Sequence, residues 1–524
     1  MNIALTPPSS AADAGRLQQS GLDALARGAP VEAAACFTEA LAGQPESAEL
    51  RCHLGLACFL QERYQEAVLC CREALRFQPE YPEAAHLLGL AMERLGRADA
   101  AESCYRQALA WRPDFPEVHF QLGLLRQNAG DLAAAEAHYG DALRTRPAYA
   151  DAWSNLSAVL IERDRPREAL AAAEQALDGR PAGGVAAWCN LGLALKLERR
   201  YFEALAAYRE ALRLAPEDPK VRWNYALALL GVGHWEQGWE EYEWRFRAGI
   251  TPAAEFTEPQ WDGSSLDGKT ILVVAEQGLG DSIQFLRYLP LLKARGARVV
   301  FEAQPRLAPL LEGHPAIDVL VPRGASLPRF DCYAHLLGLP RLFGTRPDSI
   351  PAAVPYVFVP DDLRERCRDR IAAWPGRKIG LCWAGNSQNL NDRLRSLPAV
   401  MLEPLVAFSG ATFFSLQRPA PPPGVLERLV HIEEDSGSLA DTAALIASLD
   451  LVISVDTMPL HLAGALGTPA WALLASVPDW RWMAATSADG TRTPWYPALR
   501  MFRQSAPGDW AGVVRSVVEE LGAL

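Results

Sequence analysis

Two acidic turns, far apart in the chain, carry the residue types that could do chemistry. In ILVVAEQGLGDSIQFLRYLP, from Ile271 to Pro290, five apolar residues run into a tight glycine turn, and Asp281 follows at the start of a helically spaced stretch. In DTMPLHLAGALGTP, from Asp456 to Pro469, Asp456 and Thr457 follow the apolar run VISV. The backbone N–H groups of a helix starting near Met458 would point at an anion such as a phosphate group. His461, one turn further on, is placed to face a sugar, or else to cap and pack. Between the two turns lies WAGNSQNLNDRLRSLP, from Trp383 to Pro398, which offers Asn386, Arg393 and Arg395. Guanidinium groups pair well with phosphate oxygens, although a solvated charged turn has the same composition. Gln417 ends another apolar run and could touch a nucleoside. PDWRW (Pro478 to Trp482) and PWYP (Pro494 to Pro497) could stack a base or a sugar, or fill a core. Gly278 and Gly280 are not a dinucleotide fingerprint, because Ile283 stands where the third glycine belongs.

These turns need strands behind them. The pattern predicts strands at 271–275 and 298–303, weaker ones near 318–321 and 331–333, and helices at 282–294 and 306–311. A charged helix at 363–373 bridges to a second series. That series has strands at 378–384, 412–416, 451–454 and 470–474, with helices at 442–448 and 460–466. Strands alternating with helices imply parallel sheets, here in two Rossmann-like lobes, and ligands bind at the carboxyl ends of such strands. Asp281 and Asp456 both fall at such ends, on the two sides of a cleft.

The whole chain of 524 residues suggests roughly three folding units. An apolar fraction of 49% and a charged fraction of 22% are those of an ordinary globular protein. A formal charge of −12 with no long basic run argues against a nucleic-acid partner. No apolar run reaches the ~18 residues of a membrane span. Residues 1–13 lack a basic segment followed by an apolar one, so a loose tail is expected there and not a secretory signal. The ten cysteines form no CxxC pair and no zinc spacing with histidine, and suit small core positions in a reducing cytoplasm.

The first half repeats. Small residues recur at Gly21, Gly55, Gly89, Gly123, Ser157, Gly192 and Ala226. Further small residues follow at Ala33, Ala67, Ala101, Ala135, Ala169, Ala204 and Gly238, then alanines at Ala40, Ala74, Ala108, Ala142, Ala176 and Ala211. Prolines stand at Pro45, Pro79, Pro113, Pro147, Pro181 and Pro216. The period is 34, with one extra residue near Gly183–Gly184. Small residues let antiparallel helices approach, and proline ends the second helix of each pair. The seventh unit loses its proline and gains Trp223, Trp235, Trp239 and Trp244, which marks it as a cap packing on the next domain. This register resembles the tetratricopeptide repeat. Asn155, Asn190 and Asn224 share one position on the first helix of successive repeats, the helix that lines the concave face in that family. Such a ladder of amides could hold an extended peptide, or bond neighbouring helices. It resembles the arrangement in the repeat domain of the protein O-GlcNAc transferases.

The two lobes resemble a GT-B glycosyltransferase. DTMPLHLAGALGTP resembles the D-[TS]-x-x-x-H-x-A-x-x-x-G-x-P signature of the ADP-heptose:lipopolysaccharide heptosyltransferase family, with Met458 in place of the family's usual glycine. GLGDSIQFLRYLP resembles that family's amino-terminal G-D turn, with a longer spacing to the proline. The resemblance implies that Asp281 is the base of an inverting transfer, although the same residue could simply cap its helix. It also implies that Gly280, Asn386, Arg393, Arg395, Gln417, Asp456, Thr457, Met458 and His461 surround the donor. No DxD pair stands at a strand end, so neither a metal nor another cofactor is expected.

The expected organisation is a tail (1–13), repeats (14–246), a linker (247–269), an acceptor lobe (270–375), a nucleotide-sugar lobe (376–505) and a terminal helix (506–524). The whole chain resembles bacterial proteins that join such repeats to a heptosyltransferase-like domain, some of which glycosylate flagellin or other proteins. The implied function is transfer of a sugar to a Ser or Thr hydroxyl of a polypeptide held by the repeats. Alternatives are a transferase for a lipid or polysaccharide, or a scaffold whose transferase domain is inactive.

Overall fold

The computed structural model describes residues 11–178, 184–253, 256–386, 392–418, 427–432, 437–483 and 490–524. The chain folds as two compact units, Met1–Glu198 and Arg199–Leu524.

The first unit is a solenoid of helical hairpins: Ala11–Ala26 with Pro30–Gly43, Ala48–Leu60 with Tyr64–Phe77, and Pro82–Arg94 with Ala98–Trp111. Pro116–Asn128 with Leu132–Thr145, Ala150–Glu162 with Pro166–Leu177, and the single helix Val185–Leu197 complete it. The small residues are needed because an aromatic ring of the second helix lies against several of them. A Cβ at Gly89 or Gly123 would stand 2.4 or 2.5 Å from Tyr105 or Tyr139. Ser157 occupies the same place and donates to the Ala169 carbonyl at 2.8 Å. Each hairpin turns through one residue of positive φ, supplied by Gly28, Gly96 and Gly130 but also by Glu62 and Asp164. The segment 179–183, with Pro181, lies outside the described residues.

The second unit takes in the end of the repeat array. Helices Tyr201–Leu214, Pro219–Gly231 and Trp235–Tyr242 belong to it. Tryptophan is the reason. Trp235 stacks on Trp495 with ring centroids 5.2 Å apart, and Trp239 meets Trp480 edge-on at 5.3 Å. The Trp239 indole also donates to the Thr345 carbonyl at 3.0 Å. Fully buried Arg245 forks onto Glu276 with two 2.9 Å contacts, and Glu276 also accepts from the Leu337 N–H. The last repeat is thereby fastened to the turn that leads to Asp281. PDWRW and PWYP, candidates for base stacking, supply Trp480, Trp482, Trp495 and Tyr496 to this core, all buried.

Two parallel sheets follow. Strands β1 (Thr270–Val274), β2 (Arg298–Ala303), β3 (Val319–Pro322) and β4 (Cys332–His335) lie in the order β3-β2-β1-β4, with Leu272 opposite Val300 and Tyr333. Strands β5 (Arg377–Cys382), β6 (Ala411–Ser415), β7 (Leu451–Val455), β8 (Ala470–Leu474) and β9 (Leu499–Arg503) lie in the order β6-β5-β7-β8-β9. In each sheet the strand order reverses beside the first strand, β1 or β5, which opens a crevice at its carboxyl end. The expected helix at 282–294 is broken. Leu279–Phe285, a 3-10 turn at Leu286–Tyr288 and Leu289–Ala294 replace it, since Pro290 lacks the N–H a continuous helix would need. Strand β9 and the amphipathic terminal helix Trp510–Ala523 close the second lobe, the helix burying Trp510, Val513, Val514, Val517 and Leu521.

Because a left-handed conformation costs an L-residue about 1–2 kcal/mol, replacing exposed Glu62 (φ 60°) by glycine is expected to stabilise the first unit by roughly 1 kcal/mol. Thermal unfolding followed by circular dichroism should show a raised midpoint. Replacing Gly96 by alanine should lower it.

Candidate active site

The turn after β1 puts Gln277 at φ 58°, a strained position for a residue with a side chain, and leads into the helix Leu279–Phe285 with Asp281 in its first turn. Asp281 reaches back, its Oδ2 accepting the Gly278 N–H at 2.9 Å. Its Oδ1 takes a 2.5 Å bond from Arg481 Nη2. Arg481 belongs to the opposite lobe, and its remaining donors go to Gln284 Oε1 and Asp479 Oδ1, both at 2.8 Å. Burial opposes the guanidinium charge, but Asp479 and Asp281 beside it raise its pKa further. One buried cation thus fixes the candidate base from across the cleft.

The turn after β7 faces this arrangement. A Cβ on Gly280 would lie 2.9 Å from the His461 ring and 3.6 Å from Met458 Cα, so only glycine lets the two turns approach this closely. His461, buried, stacks on Trp482, hydrogen-bonds Tyr496 Oη through Nδ1 at 2.9 Å, and directs Nε2 at Asp456 Oδ1, 3.5 Å away. Burial pushes the Asp456 carboxyl up, but His461, the nearby Trp482 indole and Arg481 outweigh it and hold the carboxyl below its usual range. Asp281, Gly280, Asp456, Met458 and His461 therefore lie together where the two turns meet.

Other expected donor contacts have different work. Arg395 donates through Nη1 to the Asp456 carbonyl at 2.9 Å and through Nε to Asp392 at 3.0 Å, which makes it a brace between the loops after β5 and β7. Gln417 Oε1 accepts from the Trp383 and Ala384 N–H groups at 3.2 and 3.0 Å, holding the β5 loop from beside. The Thr457 hydroxyl turns inward to Val455 O, Ser454 and Cys382. At the helix Met458–Leu466, Pro459 has no N–H and Leu460 gives its own to Thr457 O, so this end offers an anion fewer amides than expected. Arg393 and Asn386 are exposed on the β5 loop, whose residues 387–391 lie outside the described set.

The asparagine ladder is engaged within the array. Asn190 Nδ2 donates to Ser154 O at 2.8 Å, and Asn155 hydrogen-bonds Tyr139. Asn224 is half-buried on the Pro219–Gly231 helix of the second unit. Helix-to-helix bonding, the alternative reading of these residues, accounts for Asn155 and Asn190.

Residues 19–85 and 120–184, 59–127, and 185–218 each match a tetratricopeptide-repeat family, and residues 437–493 match glycosyltransferase family 9 (heptosyltransferase). The chain joins tetratricopeptide repeats to a glycosyltransferase family 9-like region. It is 30% identical over 350 residues to Protein FlbA of Caulobacter vibrioides (strain ATCC 19089 / CIP 103742 / CB 15), across 59% of this chain and 56% of that protein. The chain thus spans about half the length of this curated relative. Among solved structures, a thermophilic repeat protein of Thermus thermophilus is 26% identical over 35% of this chain and 100% of its own, with a TM-score of 0.28. The pilF protein of Pseudomonas aeruginosa is 18% identical over 40% and 91%, with a TM-score of 0.34. The family 9 match covers the turn of Asp456 and His461, and also Asp479 and Arg481.

Arg481 escaped the sequence reading because it sits among tryptophans and lies far along the chain from the aspartate it holds. Its only local signal is a cation in an otherwise aromatic segment.

The depressed Asp456 carboxyl stabilises the fold while ionised. That contribution is complete above the unfolded carboxylate pKa near 4 and is lost as pH falls through the lower folded value. Asp456→Asn should therefore be less stable than the native chain at pH 7, with the gap closing below about pH 4. Urea unfolding at a series of pH values measures this.

Proposed function

We propose that the protein is an inverting glycosyltransferase that moves a sugar from a nucleotide-activated donor to a hydroxyl of a polypeptide acceptor. The observation that carries the reading is the meeting of two turns at the carboxyl ends of parallel strands. Asp281 stands on one, and Asp456 with His461 stands on the other, within the stretch similar to family 9.

In this reading the acceptor hydroxyl attacks the anomeric carbon from the Asp281 side. The new C–O bond forms as the sugar–phosphate bond breaks on the opposite face. The hydroxyl proton passes to Asp281, whose oxygens each keep lone-pair capacity beyond the Gly278 and Arg481 contacts. The leaving nucleoside diphosphate carries the negative charge away. Arg393 and the Met458 N–H face it, and Arg481 offsets the three carboxylates near the reacting centre. Arg395, Gln417 and Thr457 support the loops around the donor. The repeats recruit the acceptor, a flagellin-like or other protein modified on Ser or Thr. Leaving-group stabilisation by side chains and amides makes the transfer independent of added metal. Ten free cysteines suit a reducing compartment, the cytoplasm, and no helix among the described residues is long and apolar enough to cross a membrane.

A melting screen against nucleoside diphosphates, with and without magnesium, tests the donor half. At about 100 times its dissociation constant, the matching nucleotide should stabilise the native state by roughly 2.7 kcal/mol without magnesium. Silence across the panel would favour a scaffold. Asp281→Asn keeps the shape, but its NH2 group must face either the Gly278 N–H or Arg481, so the melting point should fall while the fold survives. Nucleoside diphosphate release from the matching sugar donor should fall about 10²- to 10⁴-fold, with donor affinity within a few-fold. Loss of folding with undiminished turnover in the folded fraction would reduce Asp281 to a cap.

A further inference from the structure

Outside the cleft, three ligating side chains converge in the first unit. His119 lies on the helix Pro116–Asn128, and His138 and Asp141 lie three residues apart on one face of its partner, Leu132–Thr145. One ligating atom from each lies within 4.8 Å of the other two, and His119 Nδ1 stands 3.7 Å from Asp141 Oδ2. Among the described residues no other group of three His, Cys, Asp or Glu side chains is so arranged.

The repeat itself assigns the His119 proton. At the same repeat position Trp153 donates its indole N–H to Pro147 O at 2.8 Å, and Arg222 donates Nε to Pro216 O at 2.7 Å. Both side chains can only donate, so this carbonyl, six residues back, is an acceptor. His119 makes the same contact through Nε2, to Pro113 O at 2.9 Å. Its hydrogen therefore sits on Nε2, and its Nδ1 lone pair faces His138 and Asp141. A ring N–H tied to a backbone carbonyl while the other nitrogen points inward is how proteins prepare a metal-binding imidazole. Both His119 Nδ1 and His138 Nδ1 are buried with no hydrogen-bond partner. Arg106 and Arg126 are both paired to Glu102, and Arg144 holds the other oxygen of Asp141, leaving Oδ2 for the cluster.

We propose that His119, His138 and Asp141 form a binding site for a divalent transition metal, with zinc the best match to two imidazoles and a carboxylate. Ligand atoms around a tetrahedral zinc stand about 3.4 Å apart, so side-chain rotations alone close the site, and water completes the fourth position. The ion would clip the two helices of one repeat together. The sequence shows no zinc spacing because the ligands come from two helices across a turn. The site makes no use of the transferase reading.

The test is titration of the full-length, chelator-stripped protein with cobalt(II), then displacement with zinc. One equivalent of cobalt should give visible d–d bands without the thiolate charge-transfer band that cysteine ligation would add. His119→Trp restores the residue found at the equivalent position 153, keeping the bond to Pro113 O while removing the ligand. It should weaken binding at least about tenfold, as should Asp141→Asn, which barely alters shape. His53→Ala, another half-buried histidine of the array, should leave binding unchanged. Circular dichroism checks folding, and if His119→Trp does not fold, Asp141→Asn decides. Absent d–d bands, a thiolate band, or native affinity in the ligand variants would each overturn the proposal.

Discussion

The site depends on a single guanidinium. Arg481 gathers Asp479 from its own lobe and Asp281 and Gln284 from the other, and lies over the Trp480 ring. Without a cation there, Asp281, Asp456 and Asp479 would form a carboxylate cluster that repels any anionic donor and resists common ionisation. A lone buried charge would be equally costly, so the fork and the carboxylates need each other. Arg287 repeats the device deeper in the same interface. It donates to the Trp495 carbonyl and the Tyr356 hydroxyl, with the Tyr356, Trp495 and Tyr496 rings around it. Two buried arginines thus set the distance between the lobes, and Gly280 against His461 is the contact that this distance permits.

A second constraint enters from the repeats. Arg245 holds Glu276, and Tyr242 bonds Gln277, so the strained residue before the glycine turn is gripped from the capping helices. Strain at Gln277 persists only because its neighbours over-determine it. The Asp281 turn is therefore shaped as much by the end of the helical array as by its own sheet.

Much of this was legible in the sequence. Periodicity revealed the solenoid because Gly89 and Gly123 must be small beneath Tyr105 and Tyr139, and the apolar runs revealed eight of the nine strands. Strand β9 was missed because Arg500 and Arg503 interrupt the apolar run of LRMFR. Partnerships across long chain separations were not readable. Nothing near Asn190 announces Ser154 as its acceptor, and nothing near Arg395 announces the Asp456 carbonyl. Their residue types matched ligand chemistry, but local pattern carries no information about which polar group folding will bring within reach. The 34-residue period places Glu62 and Asp164 at the position of Gly28 and Gly96, but neither residue type announces the left-handed conformation that the backbone shows there.

The division of the chain at Glu198 and Arg199 bears on how such a protein could have been assembled and re-equipped. Cutting at the end of the array would strip Trp235 and Trp239 from Trp495 and Trp480 and leave Glu276 buried without its arginine. The heritable module is thus the two-sheet unit with the last helices of the array already attached. Everything amino-terminal to it is an array whose units contact mainly their neighbours and can be gained or lost one at a time. Repeat number can change in such an array while the Asp281 turn keeps the same mechanical support.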